Sequence, residues 1–177
     1  MRKSISAALS AIPMACLAVP FSPLSGQAGI STNPAPLEAR SYLSAVHALS
    51  RYEVDSSRLA LTRSQTQASR SFARAMVDYH TRVVTEHARL LKISSDSDSG
   101  SALVGPLSEM LNSLEGVPRA DFDAAYKRGQ IAAHEEALKV HDAFAERGSD
   151  TAMRERARAA VPLIRKHLDT ARKLPGG

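Results

Sequence analysis

The chain has 177 residues, of which 44% are apolar, so it is long enough for one domain with a buried core. The formal net charge is only +5 and aromatic residues make up 5% of the chain, which argues against a nucleic-acid-binding protein.

The first 28 residues have the pattern of a secretory signal peptide. The basic pair Arg2 and Lys3 precedes an apolar run that is short and interrupted by Pro13, and small residues lead to a cleavage site after Ala28. Such a run is too short to span a bilayer. We therefore predict an exported, periplasmic protein in which residues 29–36 form a linker after the signal peptide.

The single cysteine, Cys16, leaves one alternative open. Ala15 and Cys16 resemble the end of a bacterial lipoprotein signal, although Pro13 and Met14 do not fit that signal. Lipid attachment through Cys16 is therefore the less favoured alternative. Cleavage after Ala28 would remove Cys16, so the mature chain would contain neither a disulfide nor a thiolate metal site.

Apolar residues at helical spacing predict an all-α domain over residues 37–174, with a short tail at 175–177. No segment has the alternating pattern of a strand. The predicted helices cover approximately residues 37–63, 64–92, 107–114, 119–147 and 150–174. Four long helices and one short helix are typical of a four-helix bundle.

The connection between the second and third long helices is unusually long, at about 25 residues. It begins with a polar segment over residues 93–101, and a short helix starts near Pro106. A segment of this length can cross the whole height of a bundle. Elsewhere, Ser64 and Gln67 have the spacing of a capping box, and Pro162 lies inside the last helix, where we expect a kink.

Five of the six histidines fall among the apolar positions of the long helices. They occur as two pairs seven residues apart and one single histidine: His80 with His87, His134 with His141, and His167. On the first helix, Glu53 also lies among apolar positions. A polar side chain in a core needs a partner, so these residues are the candidate site.

The rise of a helix predicts which of these side chains share a height in the bundle. Counted from the helix turns at 1.5 Å per residue, Glu53, His80, His134 and His167 meet near the middle. Their partners His87 and His141 form a second layer about 10 Å away, provided that the second and third long helices are parallel.

Neutral imidazoles and one carboxylate suit Zn²⁺, Cu²⁺ or Ni²⁺ better than Mg²⁺ or Ca²⁺. We therefore predict a protein that binds or buffers a transition metal through Glu53, His80, His134 and His167. In the alternative, the protein is a structural or stress-related envelope bundle whose histidines form a metal-free polar network with Glu53 and Tyr126. Such a network could respond to pH when the histidines acquire charge.

Three segments resemble a family of exported bacterial proteins known as a domain of unknown function, often labelled as membrane or outer-membrane proteins. The segments are FARAMVDYH, FDAAYKRGQIAAHEEA and PLIRKHLDTA, and the resemblance covers residues 37–174. It implies a ferritin-like four-helix bundle with a long crossover, and no established activity. The marker positions of that family correspond here to Glu53, His80, Phe122, Asp123, Tyr126, His134, Pro162 and His167.

The chain departs from carboxylate-bridged di-iron proteins, because no histidine is preceded three residues earlier by glutamate. This argues against ferroxidase or oxygenase chemistry. There is also no Gly-x-Ser-x-Gly elbow, so the sequence favours a binding or structural role over an enzyme. We further expect Gly129 to lie opposite His167. The basic residues of the last two helices predict a solvated face, with association with the envelope or membrane surface as the alternative; the sequence predicts no particular protein partner.

Overall fold

The computed structural model describes residues 35–92, 103 and 105–176. Within these residues the protein is all-α, as predicted, and the only extended pairing is an isolated bridge between Leu37 and Gly148. The predicted signal peptide, Cys16 and the polar segment 93–101 lie outside the described residues. No helix in the described part of the chain combines the length and hydropathy that a bilayer span requires.

Four long helices and one short helix follow one another in the order expected. They are α1 (Ala39–Arg63), α2 (Gln67–Leu91), the short α3 (Pro106–Gly116), α4 (Phe122–Arg147) and α5 (Thr151–Arg172). A single 3₁₀ turn, Arg119–Asp121, precedes α4. Pro162 lies inside α5, as the sequence indicated.

The residues that begin α2 differ from the predicted capping box. Thr66, not Ser64, caps the helix, because its side chain accepts a hydrogen bond from the backbone N–H of Ser69. Ser64 instead ends α1, and its hydroxyl donates to a carboxylate oxygen of Asp123 at the start of α4. At the α4–α5 turn, Asp150 caps α5 by accepting from the N–H of Met153.

Contacts between α1 and α4 establish the direction of the helices. Near one end Tyr42 stacks on Phe144, and near the other the hydroxyls of Ser57 and Tyr126 are 2.8 Å apart. Helix α4 is therefore antiparallel to α1, as is α2, which follows α1 after a short turn. The helices α2 and α4 are parallel, which is the condition for a second histidine layer.

The core lies between the long helices. Toward the C-terminal end of α2, Val84, Ala88 and Leu91 are buried, whereas Leu90 is 40% exposed. The position predicted for Gly129 needs a correction. Gly129 does not lie against His167: a Cβ atom at this position would be 2.3 Å from the Tyr52 hydroxyl. The glycine therefore makes room for Tyr52 of α1.

Candidate metal centre

Three histidines from three helices converge in the middle of the bundle. His80 of α2, His134 of α4 and His167 of α5 each offer a ring nitrogen, and these nitrogens lie within 4.8 Å of one another. The ring centroids are separated by 6.2 Å for His80 and His134, 6.1 Å for His80 and His167, and 5.6 Å for His134 and His167. Three of the four residues predicted for the first layer therefore form one cluster.

The backbone fixes which nitrogen of His134 carries its proton. Its Nδ1 atom lies 2.8 Å from the carbonyl oxygen of Gln130, one helical turn earlier. A carbonyl can only accept a hydrogen bond, so Nδ1 donates and Nε2 keeps its lone pair. This arrangement is typical of metal-binding histidines, in which a hydrogen bond to one nitrogen orients the other toward the ion.

Several nitrogen atoms of this cluster are buried without a hydrogen-bond partner. They are both ring nitrogens of His80 and the Nε2 atom of His134. Buried polar groups in proteins are almost always paired, and an unpaired one costs about 1–3 kcal/mol. Each neutral ring has one N–H group and one lone pair, so His80 and His134 each bring one unpaired lone pair to the cluster. Unpaired ring nitrogens in one place are unfavourable for the protein alone and suitable for a bound cation.

Burial keeps these imidazoles neutral. Burial and, to a smaller extent, the neighbouring His134 and His167 together lower the pKa of His80 to about 3. Burial also lowers the pKa of His134. Burial, His134 and Lys166 together lower the pKa of His167 to about 4. At neutral pH all three rings can therefore act as ligands, because only the deprotonated imidazole binds a metal.

The geometry fits a small divalent transition metal after a modest adjustment. Zn²⁺ binds imidazole nitrogen at about 2.0–2.1 Å, which in a tetrahedral site separates two nitrogens by about 3.4 Å. The nitrogens lie within 4.8 Å of one another, so each pair needs to close by no more than about 1.4 Å. Rotation about side-chain bonds can supply such a movement, and one coordination position remains open for water or a further ligand.

Glu53 lies next to this cluster but behind His134. Its Oε1 atom is 3.4 Å from the Nδ1 atom of His134, the nitrogen that faces away from the lone pair. The carboxyl is 3% exposed, and burial raises its pKa to about 8. Glu53 does not belong to the group of converging ligand atoms, and neither of its oxygens has a hydrogen-bond partner, so it is a neighbour of His134 that could interact with a bound ion through its charge.

The predicted second layer contains a third histidine that the sequence analysis missed. Burial lowers the pKa of His87, and His47 and His141 lie close enough to lower it as well. His47 is 5% exposed. Helices α1 and α2 are antiparallel, so positions before Glu53 lie level with positions after His80. His47, six positions before Glu53, is therefore at about the same height as His87, seven positions after His80. This relation between helices is the signal that could have identified His47.

The remaining predicted residues have structural positions around the cluster. The Tyr126 hydroxyl forms a hydrogen bond with the Ser57 hydroxyl. Gly129 contacts the Tyr52 hydroxyl. The amide of Gln130, which the sequence analysis also missed, donates to Ser56 at 3.1 Å. The side chain of Gln130 thus holds α4 against α1, while the backbone carbonyl of the same residue orients His134.

A cavity connects the two histidine layers. It has a volume of about 50 Å³ and is lined by Glu53 and by five histidines: His80, His87, His134, His141 and His167. A groove on the surface between α2 and α5 also reaches His167, beside Met76 and Lys166. His80 and His167 are both partly buried, and of the two only His167 borders this groove.

Comparison with known proteins places this geometry in context. The family model "Domain of unknown function (DUF4142)" matches residues 25–174. The solved structure of CopM in the Cu(II)-bound form is similar, with a TM-score of 0.61 and 14% sequence identity over 78% of this chain and 95% of CopM. At that identity the similarity shows the fold. No curated protein sequence matches the chain significantly.

Proposed function

We propose that this chain, which belongs to the DUF4142 family, is an exported protein that binds a transition metal through His80, His134 and His167. The observation that supports this most strongly is the convergence of three imidazoles from three helices, of which His134 is buried and the other two are partly buried, with one nitrogen of each within 4.8 Å of the others. Both ring nitrogens of His80 and the Nε2 atom of His134 have no hydrogen-bond partner. Glu53 lies beside the Nδ1 atom of His134 and, when ionised, would stabilise the positive charge of a bound ion.

A metal site accounts for the cluster better than a metal-free polar network. In a network of structural hydrogen bonds, each buried histidine should have a protein partner. His80 has none, and the Tyr126 hydroxyl pairs with Ser57 instead. The alternative function, a structural envelope protein with a polar core, is favoured only by the contacts of Gln130 with Ser56 and His134.

The donor set selects the class of ion. Three imidazoles suit Cu²⁺, Zn²⁺ and Ni²⁺, and the general order of affinity for nitrogen ligands places Cu²⁺ first. CopM, which shares the fold, has been solved with Cu(II) bound. Copper is therefore the first ion to test, and zinc is the second because its geometric demands are weaker.

Binding or buffering, rather than catalysis, fits the surroundings of the site. Apart from Ser50, Glu53 and Tyr79, the walls of the cavity are apolar or histidine, and no serine–histidine or cysteine–histidine pair is bonded there in the described residues. The groove beside His167 would allow exchange of the ion with solvent. A bundle that holds an ion reversibly in this way would act as a buffer in the periplasm, the compartment that the predicted signal peptide indicates.

Titration of the mature protein with Cu²⁺ and Zn²⁺ tests the proposal. We expect a dissociation constant below about 1 μM and loss of this binding in His134→Ala. Lys139→Ala is the matched control, because Lys139 lies on the exposed face of the same helix and pairs only with Glu136. Binding weaker than micromolar in the wild type, or equal binding in His134→Ala, would contradict the proposed site.

A further inference from the structure

A second group of three histidines lies one layer away from the proposed metal centre. It consists of His47 of α1, His87 of α2 and His141 of α4, and we refer to it as the second layer. Seven residues separate His87 from His80 and His141 from His134, which places the second layer about 10 Å along the bundle. No hydrogen bond links these three rings to one another in the described residues.

Each ring in the second layer has a nitrogen atom that is available to bind an ion. His141 donates from Nδ1 to the carbonyl of Ala137 at 2.8 Å, which repeats the bond between His134 and Gln130. Its Nε2 atom therefore carries a lone pair. The Nδ1 atom of His87 is buried without a hydrogen-bond partner. His47 is 95% buried and lies beside the backbone of Val84, which leaves at least one of its ring nitrogens without a partner.

The surroundings favour a dry, enclosed site. His87 and His141 line the same cavity as the first cluster, together with Val46, Leu49 and Val83. The ring of Tyr42 meets His141 edge-on at 5.5 Å and stacks on Phe144, so aromatic side chains cover this side of His141. Burial lowers the pKa of His47, and the charge of Arg51 lowers it as well, so this ring is neutral at pH 7.

We propose that His47, His87 and His141 form a second, weaker site for the same class of divalent transition metal, reached through the cavity from the first site. This rests on the proposed function for the identity of the ion. The site is weaker because only the first cluster has nitrogens within 4.8 Å of one another, so the second must rearrange further. The protein would then take up two ions per chain in two steps.

Nuclear magnetic resonance of the mature wild-type protein, labelled with ¹⁵N in its histidines, tests this directly. The chain has six histidines, and Zn²⁺ is diamagnetic, so each ring can be followed during a titration. We expect the first equivalent to shift the rings of His80, His134 and His167. The second equivalent should then shift the rings of the second layer.

Calorimetry on two variants assigns the two steps. The wild type should bind two Zn²⁺ ions, His141→Ala should keep only the tight step, and His134→Ala should keep only the weak step. One equivalent in both the wild type and His141→Ala, with second-layer rings unmoved by excess Zn²⁺, would overturn the second site and leave the first intact. Shifts confined to the second layer would support this site and contradict the first, and no shift in any ring would contradict both.

Discussion

The Nδ1 atom of His134 lies 3.4 Å from the Oε1 atom of Glu53, and both side chains are almost completely buried. An ion bound at Nε2 of His134 would make the Nδ1–H group a stronger hydrogen-bond donor, and a carboxylate beside it would be stabilised in turn. The Nδ1–H group itself donates to the backbone carbonyl of Gln130, so Glu53 would act on a bound ion through its charge and not as the hydrogen-bond partner of His134. Glu53 would affect metal affinity without touching the ion.

The role of Glu53 leads to a first prediction. Burial raises the pKa of Glu53 to about 8, so the carboxyl is mostly protonated in the metal-free protein at pH 7, and a bound cation would favour its ionised form. Glu53→Gln keeps the size of the side chain but cannot ionise, so it should weaken Cu²⁺ and Zn²⁺ binding by about 10- to 100-fold, the usual effect of losing such a partner. Competition titration with a chelator measures this. Glu136→Gln on the exposed face of α4 is the control, and equal affinities for both variants would show that Glu53 has no part in binding.

A second prediction separates the metal site from a structural polar network. His80 has two buried nitrogens without partners, so His80→Leu removes an unfavourable polar group and should leave the metal-free protein equally stable or more stable. The same change should abolish stabilisation by metal, which for the wild type is about 2.7 kcal/mol at 100 times the dissociation constant.

Thermal unfolding with and without Zn²⁺, followed by addition of chelator, measures both effects. A network in which His80 bonds to other side chains predicts the opposite pattern. In that case His80→Leu would lower the melting temperature strongly in the absence of metal, and Zn²⁺ would leave the melting temperature of the wild type unchanged.

The pH dependence of the metal-free protein provides a third prediction. Burial lowers the pKa of His80 to about 3, and burial with its neighbours lowers that of His167 to about 4, whereas an unfolded histidine has a pKa of about 6.5. Below pH 6.5 the unfolded chain binds protons that the folded chain excludes. Stability should therefore fall as the pH drops from 6.5 toward 4, by about 1.4 kcal/mol per pH unit for each such histidine.

Glu53 should act in the opposite direction. Because burial raises its pKa to about 8, its contribution to stability is present below the unfolded value and is lost as the pH rises through 8. Urea unfolding in the presence of chelator between pH 5 and pH 8.5 should therefore show a maximum in between. The decrease on the acid side should be shallower in His80→Leu, and stability that does not change between pH 7.5 and pH 5 would refute the prediction and the pH-responsive role.

Gly129 supplies a fourth prediction, which concerns packing rather than the site. A Cβ atom there would lie 2.3 Å from the Tyr52 hydroxyl, so Gly129→Ala should destabilise the protein by about 1–3 kcal/mol. Gly116→Ala is the matched control, since a Cβ atom at that position would meet nothing within 4 Å. Chemical denaturation measures both. Adding Tyr52→Phe should recover part of the loss, and a neutral Gly129→Ala would show that α1 and α4 can separate easily.

The sequence predicted the helices and most of the first cluster because both follow from periodicity along single helices. His80, His134 and His167 lie at buried helical positions, and the rise per residue brought them to one height. His47 was missed because its importance depends on which helices are neighbours and on their directions. Gly129 was assigned to the wrong neighbour for the same reason, since its side of α4 faces Tyr52 of α1.

Local signals were also misleading where a distant residue competes for a polar group. Ser64 and Gln67 have capping-box spacing, yet the Ser64 hydroxyl donates to Asp123, which is 59 residues away in the chain. The charged acceptor offers a stronger hydrogen bond than a backbone amide or a neutral side chain. Thr66 then caps α2, and only the folded chain reveals this exchange.

Asp123 therefore gives the last prediction. It is 7% exposed and accepts hydrogen bonds from the Ser64 hydroxyl and, at 2.9 Å, from the backbone N–H of Gln65. Burial alone would raise the pKa of Asp123, but hydrogen bonds from Ser64 and from the Gln65 backbone outweigh it, so the pKa is lowered. Asp123→Ala should cost about 1–3 kcal/mol, because two donors at the α1–α2 turn lose their acceptor.

Urea unfolding at pH 7 measures this cost, with Asp121→Ala as the control, because Asp121 makes no capping hydrogen bond and is exposed. A lowered pKa stabilises the fold above the unfolded value of about 3.9 and loses that effect as the pH falls below it, so the two variants should become more alike in strong acid. Zn²⁺ affinity should not change in either, since Asp123 lies about 16 Å along α4 from His134. Equal stability of Asp123→Ala and Asp121→Ala at pH 7 would show that Asp123 does not hold α4 to the α1–α2 turn.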